Sequence, residues 1–496
     1  MTGTGVESPR YRWKVLASVV FGVFMIVLDA TVVNIAFRAL QLDLHADVDA
    51  SQWVISIYVL FLGVSTPASG YLGGRYGLKR VFLMGLALFT VASLLCGLAP
   101  DLPTLIAARA LQGIGGGIAA PLGTAMLFAA FPPREQGLAL GIFGVAVVSA
   151  PAIGPLIGGA LVDLGHWRWI FFVNGPIGAL GLALGSRWLR ESRPGRHESL
   201  DWPGLLTSTL GFGAILYAAS IAASRGWTAP EVLGSFAVGA VALAAFVRTE
   251  LRVPTPLLDL RLFRHRTFTN AVLVGWVAVL ALFGAEFLMP LYLQVLRGHG
   301  AFDAGLVLLP LGVAAAVATP IAGRLYDRVG PRPLVVVGFS ILAVNTWQFA
   351  RLDFDTPLPF VAFLLALRGL ALGLTVQTTL VAALGTVPKP ALPRGSALVN
   401  ATRRTFQSIS VAVLATILSV TAGGSLGAGP HAADTTGRAL CSPLPADPGV
   451  AAFCVNYLHG LERAYTVTFV AALVALALGA LLPGWPGRWG GRSEPG

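Results

Sequence analysis

The chain has 496 residues, of which 55% are hydrophobic and 11% are charged, and its formal net charge is +11. A soluble domain carries about 25% charged residues, so this composition excludes an ordinary water-soluble protein and predicts a helical protein that crosses the membrane many times. The positive charge does not indicate a nucleic-acid partner, because the basic residues are spread along the chain and form no single soluble basic face.

Apolar runs of about 20 residues, enough to span a bilayer core, recur from one end of the chain to the other. We predict fourteen spans, which begin near Trp13, Ser51, Val81, Leu102, Gln136, Trp167, Trp202, Glu231, Phe268, Phe302, Leu334, Thr356, Leu398 and Leu461. With the N-terminus inside, most lysines and arginines fall at the cytoplasmic ends of these spans. This asymmetry predicts a multi-pass protein of the cytoplasmic membrane, surrounded by lipid, with both termini in the cytoplasm.

The first span carries an acid, Asp29, within the stretch FMIVLDATVVNIAF (24–37). A charged side chain at the bilayer centre costs about 2.5 to 3.5 kcal/mol on insertion scales, so an acid at that depth usually has a function. A carboxylate withdrawn from water holds a proton readily, which is the property of a proton-coupling site. The alternative is an acid that is buried only to pair with a buried cation such as Arg109.

An internal repeat divides the chain. The segment GYLGGRYGLKRVFLMG (70–85) matches GRLYDRVGPRPLVVVG (323–338), and AARALQGIGGG (107–117) matches LALRGLALGL (365–374) at a nearly equal separation. Two similar halves packed around a site near the bilayer midplane are typical of one large class of transporters. We predict a first six-helix half over 1–200, two inserted spans over 201–250, and a cytoplasmic linker with the second six-helix half over 251–496.

A second acid, Glu286, lies in the stretch FGAEFLMPLYLQ. Its separation from Asp29 falls between the separations of the two repeated segments, so the two acids occupy nearly equivalent positions in the two halves. Glu286 is predicted to be either a second protonation site or the anchor of a cationic substrate. The alternative is a carboxylate at the wet rim of the cavity.

Six segments, taken in chain order, resemble the motifs of one transporter family: LDATVVNIAF, SQWVISIYVL, GYLGGRYGLKR, ARALQGIGGG, APAIGPLIGG and HWRWIFFVNGPIG. The chain resembles the major facilitator superfamily, and within it the fourteen-span drug:proton antiporters. The resemblance implies an all-α integral membrane fold with two extra helices between its halves. It also implies that Asp29 and Arg109 couple transport to protons, with Gln112 one helical turn from the arginine. A purely structural role for Arg109, holding loop carbonyls in the first half, is the alternative.

Other motif positions are expected to control conformation. They are Gly70, Arg75, Gly77 and Arg80 in the first loop motif, Gly323, Asp327, Arg328 and Gly330 in its copy, and Gly154, Pro155, Gly158 and Gly159 in the fifth span. In the fifth span, glycines allow close helix packing and proline bends the helix. The family that the chain resembles has an acid directly before the loop arginine, where this chain has Gly74. The missing acid puts the first-half lock in doubt or leaves it to Arg75, Lys79 and Arg80.

The predicted substrate cavity combines aromatic rings, amides and one acid. Its residues are Trp53, Tyr58, Gln112, Phe171, Asn174, Glu286 and Gln377. Such a lining binds flat, lipophilic cations through contact area and cation–π attraction. Each of these residues, taken alone, is equally well explained by packing against a neighbouring helix.

Cysteine is scarce. Cys441 and Cys454 share the predicted outer loop before the last span, where they either form a disulfide or stay unpaired. The sequence has no GxxxxGK[ST] phosphate loop, no HExxH and no paired CxxC, so no enzyme, metal or cofactor is predicted and the energy source is expected to be the proton gradient. We expect a monomer whose partners are protons and a small lipophilic substrate.

These expectations describe a proton-coupled antiporter that exports lipophilic, cationic or antibiotic-like molecules across the cytoplasmic membrane. The alternative is a proton-coupled exporter of an endogenous metabolite, such as a peptide, a lipid precursor or a self-made antibiotic. The two differ in the shape of the cavity, which a motif does not specify.

Overall fold

The computed structural model describes residues 9–192, 201–422, 441 and 448–484, and every regular element within them is helical. The helices are α1 (Pro9–Asp43), α2 (Val48–Tyr76), α3 (Leu78–Leu98), α4 (Leu102–Ala130), α5 (Gln136–Asp163), α6 (Trp169–Phe172), α7 (Asn174–Trp188), α8 (Trp202–Arg225), α9 (Pro230–Arg252), α10 (Arg266–Leu291), α11 (Ala301–Val329), α12 (Pro331–Phe349), α13 (Leu358–Leu384), α14 (Leu392–Ala422) and α15 (Pro448–Gly479). Helix α10 continues into a π-helical segment, Tyr292–Leu296.

Eleven helices in the described part of the chain are long and apolar enough to cross a membrane. The protein is therefore an all-helical, multi-pass membrane protein. The count of fourteen spans, the three predicted domains and the orientation stay predictions, and both chain ends lie outside the described residues. We call "inner" the face that carries Gly77 and Gly330, which the topology predicts to be cytoplasmic, and "outer" the opposite face.

Helix α4 lies between α2 and α3 because glycines remove side chains from its two contact faces. A Cβ on Gly113 would lie 2.5 Å from the Tyr58 carbonyl oxygen in α2, and a Cβ on Gly115 would lie 2.6 Å from the Phe89 nitrogen in α3. Small residues at helix contacts are the usual means by which membrane helices approach closely. The glycine run of the fourth-span motif therefore fixes where Arg109, one turn earlier, is held.

Both copies of the repeated loop motif turn the chain through a glycine in the left-handed region. Gly77 has φ +95° and Gly330 has φ +81°, a conformation that other residues rarely adopt. Next to Gly77, the Glu191 carboxylate accepts hydrogen bonds from the backbone N–H groups of Lys79 and Arg80. The start of α3 is thereby tied to the chain that follows α7, within the predicted first half.

The predicted halves meet at the inner face in two similar places. Helix α5 packs on α11, where a Cβ on Gly323 would lie 2.2 Å from the Gly137 carbonyl oxygen. Helix α2 packs on α14, where a Cβ on Gly70 would lie 2.9 Å from the Arg394 Cα. Ser396 adds a hydrogen bond of 2.8 Å to the Pro121 carbonyl of α4. These backbone approaches close the inner face.

The outer face carries two further links between distant residues. Cys441 and Cys454 form a disulfide. Arg168 forms an ion pair with Asp43 at the end of α1, and its hydrogen bond to the carboxylate holds the pKa of Asp43 below its usual value.

Candidate functional site

Asp29 is 1% exposed and lies inside the bundle formed by α1, α4 and α7. Its Oδ2 atom is 2.5 Å from Arg109 Nη1. Its Oδ1 atom accepts hydrogen bonds of 2.8 Å from Gln112 Nε2 and 2.8 Å from Asn174 Nδ2. The carboxylate is therefore in contact with one cation and two amide donors, although it is withdrawn from water.

Arg109 is held by more than its carboxylate partner. Its Nη1 also donates to Gln112 Oε1 at 2.7 Å, and its Nε donates to the Val54 carbonyl at 3.0 Å. The guanidinium carbon lies 4.0 Å from the centre of the Tyr58 ring, where cation–π attraction contributes. Tyr58 itself donates to the Ile26 carbonyl at 3.1 Å. The arginine therefore links α1, α2 and α4.

A break between α6 and α7 brings two predicted residues to this cluster. Asn174 opens α7 and donates to Ser93 Oγ at 2.9 Å as well as to Asp29. Ser93 in turn donates to the Phe171 carbonyl at 2.9 Å, and Cys96 is 3.7 Å from Gln112 Oε1. Ser93 and Cys96 were not predicted as site residues. Two small polar side chains one turn apart in the apolar third span could have indicated that this face of α3 is turned toward the site.

The ion pair between Asp29 and Arg109, which the sequence analysis named as the alternative to a proton site, is present. Arg109 also donates to the Val54 carbonyl, which lies within α2 and not in a loop, so a role of Arg109 in holding loop carbonyls stays a prediction. The same contacts give protonation a definite consequence. A proton on Asp29 would remove the charge that balances a buried guanidinium, and an uncompensated buried charge is costly. A role of Asp29 in proton uptake stays a prediction.

The second half has a buried arginine at the repeat position but surrounds it differently. Arg368 donates to the carbonyls of Ala281 at 2.5 Å and Leu282 at 3.1 Å, and also to Asn345 Oδ1 and Thr346 Oγ1. Glu286 lies one turn beyond Leu282 on α10, but its side chain is outside the described part of the structure. Its predicted role as a protonation site or substrate anchor therefore stays a prediction.

The residues predicted to line the substrate cavity do not share one wall. Tyr58, Gln112, Phe171 and Asn174 belong to the cluster around Asp29. Trp53 instead stacks on Tyr217 of α8, with ring centres 5.9 Å apart. Gln377 lies on α13 against Gly144 of α5, where a Cβ on the glycine would lie 3.0 Å from its Nε2.

A cavity of about 40 Å³ lies elsewhere, between α10, α13 and α14, with Trp276, Thr379 and Arg403 among its lining residues. This volume is far below the roughly 300 to 1,000 Å³ of a typical ligand pocket.

The fifth-span motif packs beside the Asp29 cluster. A Cβ on Gly154 would lie 2.3 Å from Thr31 Oγ1, two residues after Asp29 on α1. Gly158 is buried, whereas Gly159 has open space within 4 Å of its Cβ position. The side chain of Pro155 lies outside the described part, and α5 is continuous through this position. The motif therefore couples α5 to the helix that carries the acid.

The two loop motifs differ in their polar contacts. Asp327 accepts hydrogen bonds from the backbone N–H groups of Gly137 at 3.1 Å and Leu138 at 3.2 Å, at the start of α5. Its counterpart Gly74 has no atom within 4 Å of its Cβ position.

The basic residues of the first loop motif make contacts of their own. Arg75 donates to Tyr71 at 2.7 Å, and Lys79 donates to the Ser186 carbonyl at 2.7 Å. These two contacts stay within the predicted first half, as do those of Glu191. The Arg80 side chain is exposed at this loop, and Arg328 follows Asp327 at the end of α11.

The family model described as Major Facilitator Superfamily matches residues 19–412, and the chain belongs to this family of transporters. It is 33% identical to the multidrug resistance protein B homolog of Mycobacterium tuberculosis over 485 residues, covering 95% of this chain and 88% of that protein. It is 36% identical to the puromycin resistance protein pur8 of Streptomyces alboniger over 415 residues, covering 82% of each.

Solved structures show the same fold at low sequence identity. The proton:xylose symporter XylE superposes with a TM-score of 0.63 at 14% identity, covering 96% of both chains. The protein is therefore a major facilitator transporter of small molecules and not an enzyme, and its relatives include proteins named for drug and antibiotic resistance.

Proposed function

We propose that this protein is a proton-coupled antiporter that exports lipophilic, cationic or antibiotic-like molecules across the cytoplasmic membrane. The observation that carries the proposal is the buried Asp29 carboxylate, balanced by Arg109 and two amide donors. The names of the resistance relatives support the substrate class. The proposal includes fourteen spans in two halves, with α8 and α9 inserted between them and both termini inside.

In the proposed cycle, a proton entering from the outer side neutralises Asp29. Arg109 then loses its counter-charge and keeps its bonds to Gln112 and Val54. The resulting rearrangement of α1 reaches α5 through the close contact between Thr31 and Gly154. Because α5 also forms the inner contact with α11, a shift of α5 loosens the closure of the inner face. Inside, the proton is released and the substrate binds. After the protein returns to its outward-facing state, the next proton displaces the substrate to the outside and closes the cycle.

The gradient supplies enough free energy for this exchange. One pH unit across the membrane corresponds to about 1.4 kcal/mol per proton. A potential of 100 mV adds about 2.3 kcal/mol per charge moved. The pH term alone supports about tenfold accumulation, and the potential adds to it where the exchange moves net charge.

The test is efflux of a panel of fluorescent lipophilic cations from proteoliposomes under an imposed pH gradient. We expect native efflux to follow the gradient and Asp29→Asn to abolish this dependence, because the amide takes up no proton. Asp303→Asn, at an exposed acid in the first turn of α11, is the matched control and should behave as the native protein does. Glu286→Gln shows whether a second acid contributes.

Gradient-driven efflux that persists in Asp29→Asn at the native rate would contradict the coupling mechanism. If no cation in the panel moves although the protein dissipates the pH gradient, the cationic substrate class is wrong. The exporter of an endogenous metabolite would then be the function to test.

A further inference from the structure

The two helices α8 and α9 meet at the inner face through a pair of buried acids. Asp201 is 7% exposed and Glu250 is 1% exposed. Asp201 Oδ1 caps α8 by accepting a hydrogen bond of 2.9 Å from the Gly204 N–H. Glu250 Oε2 accepts one of 3.1 Å from the Leu258 N–H, in the segment that leads on to α10. One oxygen of each acid thus accepts a hydrogen bond from a backbone N–H group.

The remaining oxygen of each acid faces the same small space. A Cβ on Gly204 would lie 2.3 Å from Asp201 Oδ2 and 2.8 Å from Glu250 Oε1. Both oxygens are buried, and within the described part of the chain neither accepts a hydrogen bond. A buried carboxylate oxygen without a donor is costly, and most native buried polar groups have a partner. Two such oxygens side by side indicate that a partner sits between them.

Among the described residues, no ion pair balances the charge of these two carboxylates. Glu250 faces Asp201 and the Leu258 N–H, and Arg394 is a basic residue near it. Arg394 lies in the first turn of α14 and forms no direct ion pair with either acid among the described residues. Two like charges that share a buried site do not both ionise readily, and one proton held between them is the usual result.

A metal ion suits this site less well than a proton. Calcium takes six to eight oxygen ligands and magnesium requires a nearly octahedral set. Within the described residues no group of three or more His, Cys, Asp or Glu side chains comes together. A proton needs only one donor and one acceptor oxygen.

We propose that Asp201 and Glu250 share one proton and form a second protonation site, at the inner end of the inserted helices. The site takes its proton from the cytoplasm and gives it back to water there, leaving two carboxylates. Repulsion between these carboxylates would then separate the start of α8 from the end of α9 and from Leu258. The Arg394 Cα would lie 2.9 Å from a Cβ on Gly70, at the contact between α2 and α14. A change in the charge of the pair would therefore act, through Arg394, on the contact that closes the inner face. The site is independent of Asp29.

The test is infrared spectroscopy of the purified full-length protein in lipid nanodiscs at neutral pH. We expect the native spectrum to contain a carbonyl stretch of a protonated carboxyl group that is absent from Glu250→Gln and moves to a different frequency in Asp201→Asn. Glu250 is buried and can hold a proton without Asp201, so a change of this band on replacing Asp201 is what shows that the proton is shared. Asparagine also keeps the cap of α8. Glu231→Gln, at an exposed acid of α9 paired with Arg225, is the control and should leave this band unchanged.

A second readout separates a shared proton from a merely structural pair. The melting temperature of the native protein should fall between neutral and alkaline pH, because the proton that stabilises the folded pair is lost. This fall should be smaller in Glu250→Gln. A protonated-carboxyl band that is unchanged in either variant would overturn the proposal, and so would a native pair that is ionised at neutral pH. Neither result would bear on efflux through Asp29.

Discussion

The two oxygens of Asp29 have different kinds of neighbour, and these act differently. Arg109 supplies a full positive charge to Oδ2, while Gln112 and Asn174 supply amide hydrogens to Oδ1. Removing the cation would leave the buried carboxylate without a counter-charge. Removing one amide would remove one hydrogen bond to the carboxylate and leave the ion pair in place. The amides are therefore the positions at which proton affinity can be tuned without losing the ion pair.

Asn174→Ala should move the pH of half-maximal gradient-driven efflux upward. The substitution removes one donor to Oδ1, and a hydrogen bond to a charged group contributes about 1.5 to 3 kcal/mol. The measurement is the initial efflux rate from proteoliposomes as a function of the pH on the outer side.

Asn400→Ala is the matched control, because Asn400 donates within α14 to the Ser396 carbonyl and lies outside the Asp29 cluster. Its pH profile should stay that of the native protein. An unchanged profile in Asn174→Ala would show that the amide bond does not influence proton binding and that Asn174 only joins α7 to α1.

The sequence predicted the centre of the site better than its periphery. Asp29 and Arg109 stood out because charged residues are rare in apolar runs, and Gln112 followed from helical spacing. The contact between Asn174 and Asp29 depends on the break before α7, which no periodicity indicates. Trp53 and Gln377 were expected on the same wall as these residues, but they lie against α8 and α5. Residue type does not reveal which face of a membrane helix is turned inward.

At the scale of helices, α4 determines the geometry of the site because it packs on two neighbours at once. Gly113 faces α2 and Gly115 faces α3, each at a distance that leaves no room for a methyl group. Repeated glycines in an apolar run indicate such close packing, and the sequence analysis recorded the run without predicting which helices it contacts.

Gly113→Ala should destabilise the protein and weaken gradient-driven efflux together. Its Cβ would lie 2.5 Å from the Tyr58 carbonyl oxygen, so α4 must move away from α2 and carry Arg109 with it. Overpacking of this kind costs about 1 to 3 kcal/mol. Thermal unfolding in detergent measures the loss, and the matched control is Gly159→Ala, at a position with open space.

The control should be neutral or slightly stabilising, because alanine in a helix interior is favoured over glycine by about 0.5 to 1 kcal/mol. Equal melting temperatures for Gly113→Ala and Gly159→Ala would mean that α2 and α4 tolerate a wider separation than their glycine contact indicates.

At the scale of the whole molecule, the inner face is closed by two contacts that the internal repeat relates. Gly323 of α11 packs on Gly137 of α5, and Gly70 of α2 packs on Arg394 of α14. The matching loop segments predicted that Gly70 and Gly323 occupy equivalent positions in the two halves, but not which helices these glycines contact. The difference between the contacts also has a sequence origin, since Asp327 caps the start of α5 and Gly74 has no side chain to cap α14.

Gly74→Asp should therefore strengthen the closure of the inner face. The first turn of α14 contains the backbone N–H groups of Arg394 and Gly395, and donors at a helix start lack partners within the helix. An acid at position 74 would occupy the place that Asp327 has beside Gly137. A cap of this kind contributes about 1 kcal/mol, which is about a fivefold shift toward the inner-closed state. If opening of this face limits turnover, efflux slows by a similar factor while the melting temperature rises.

Gly74→Ala supplies a Cβ without the carboxylate and is the reference for both measurements. Faster efflux in Gly74→Asp than in Gly74→Ala would show that opening of the inner face does not limit turnover.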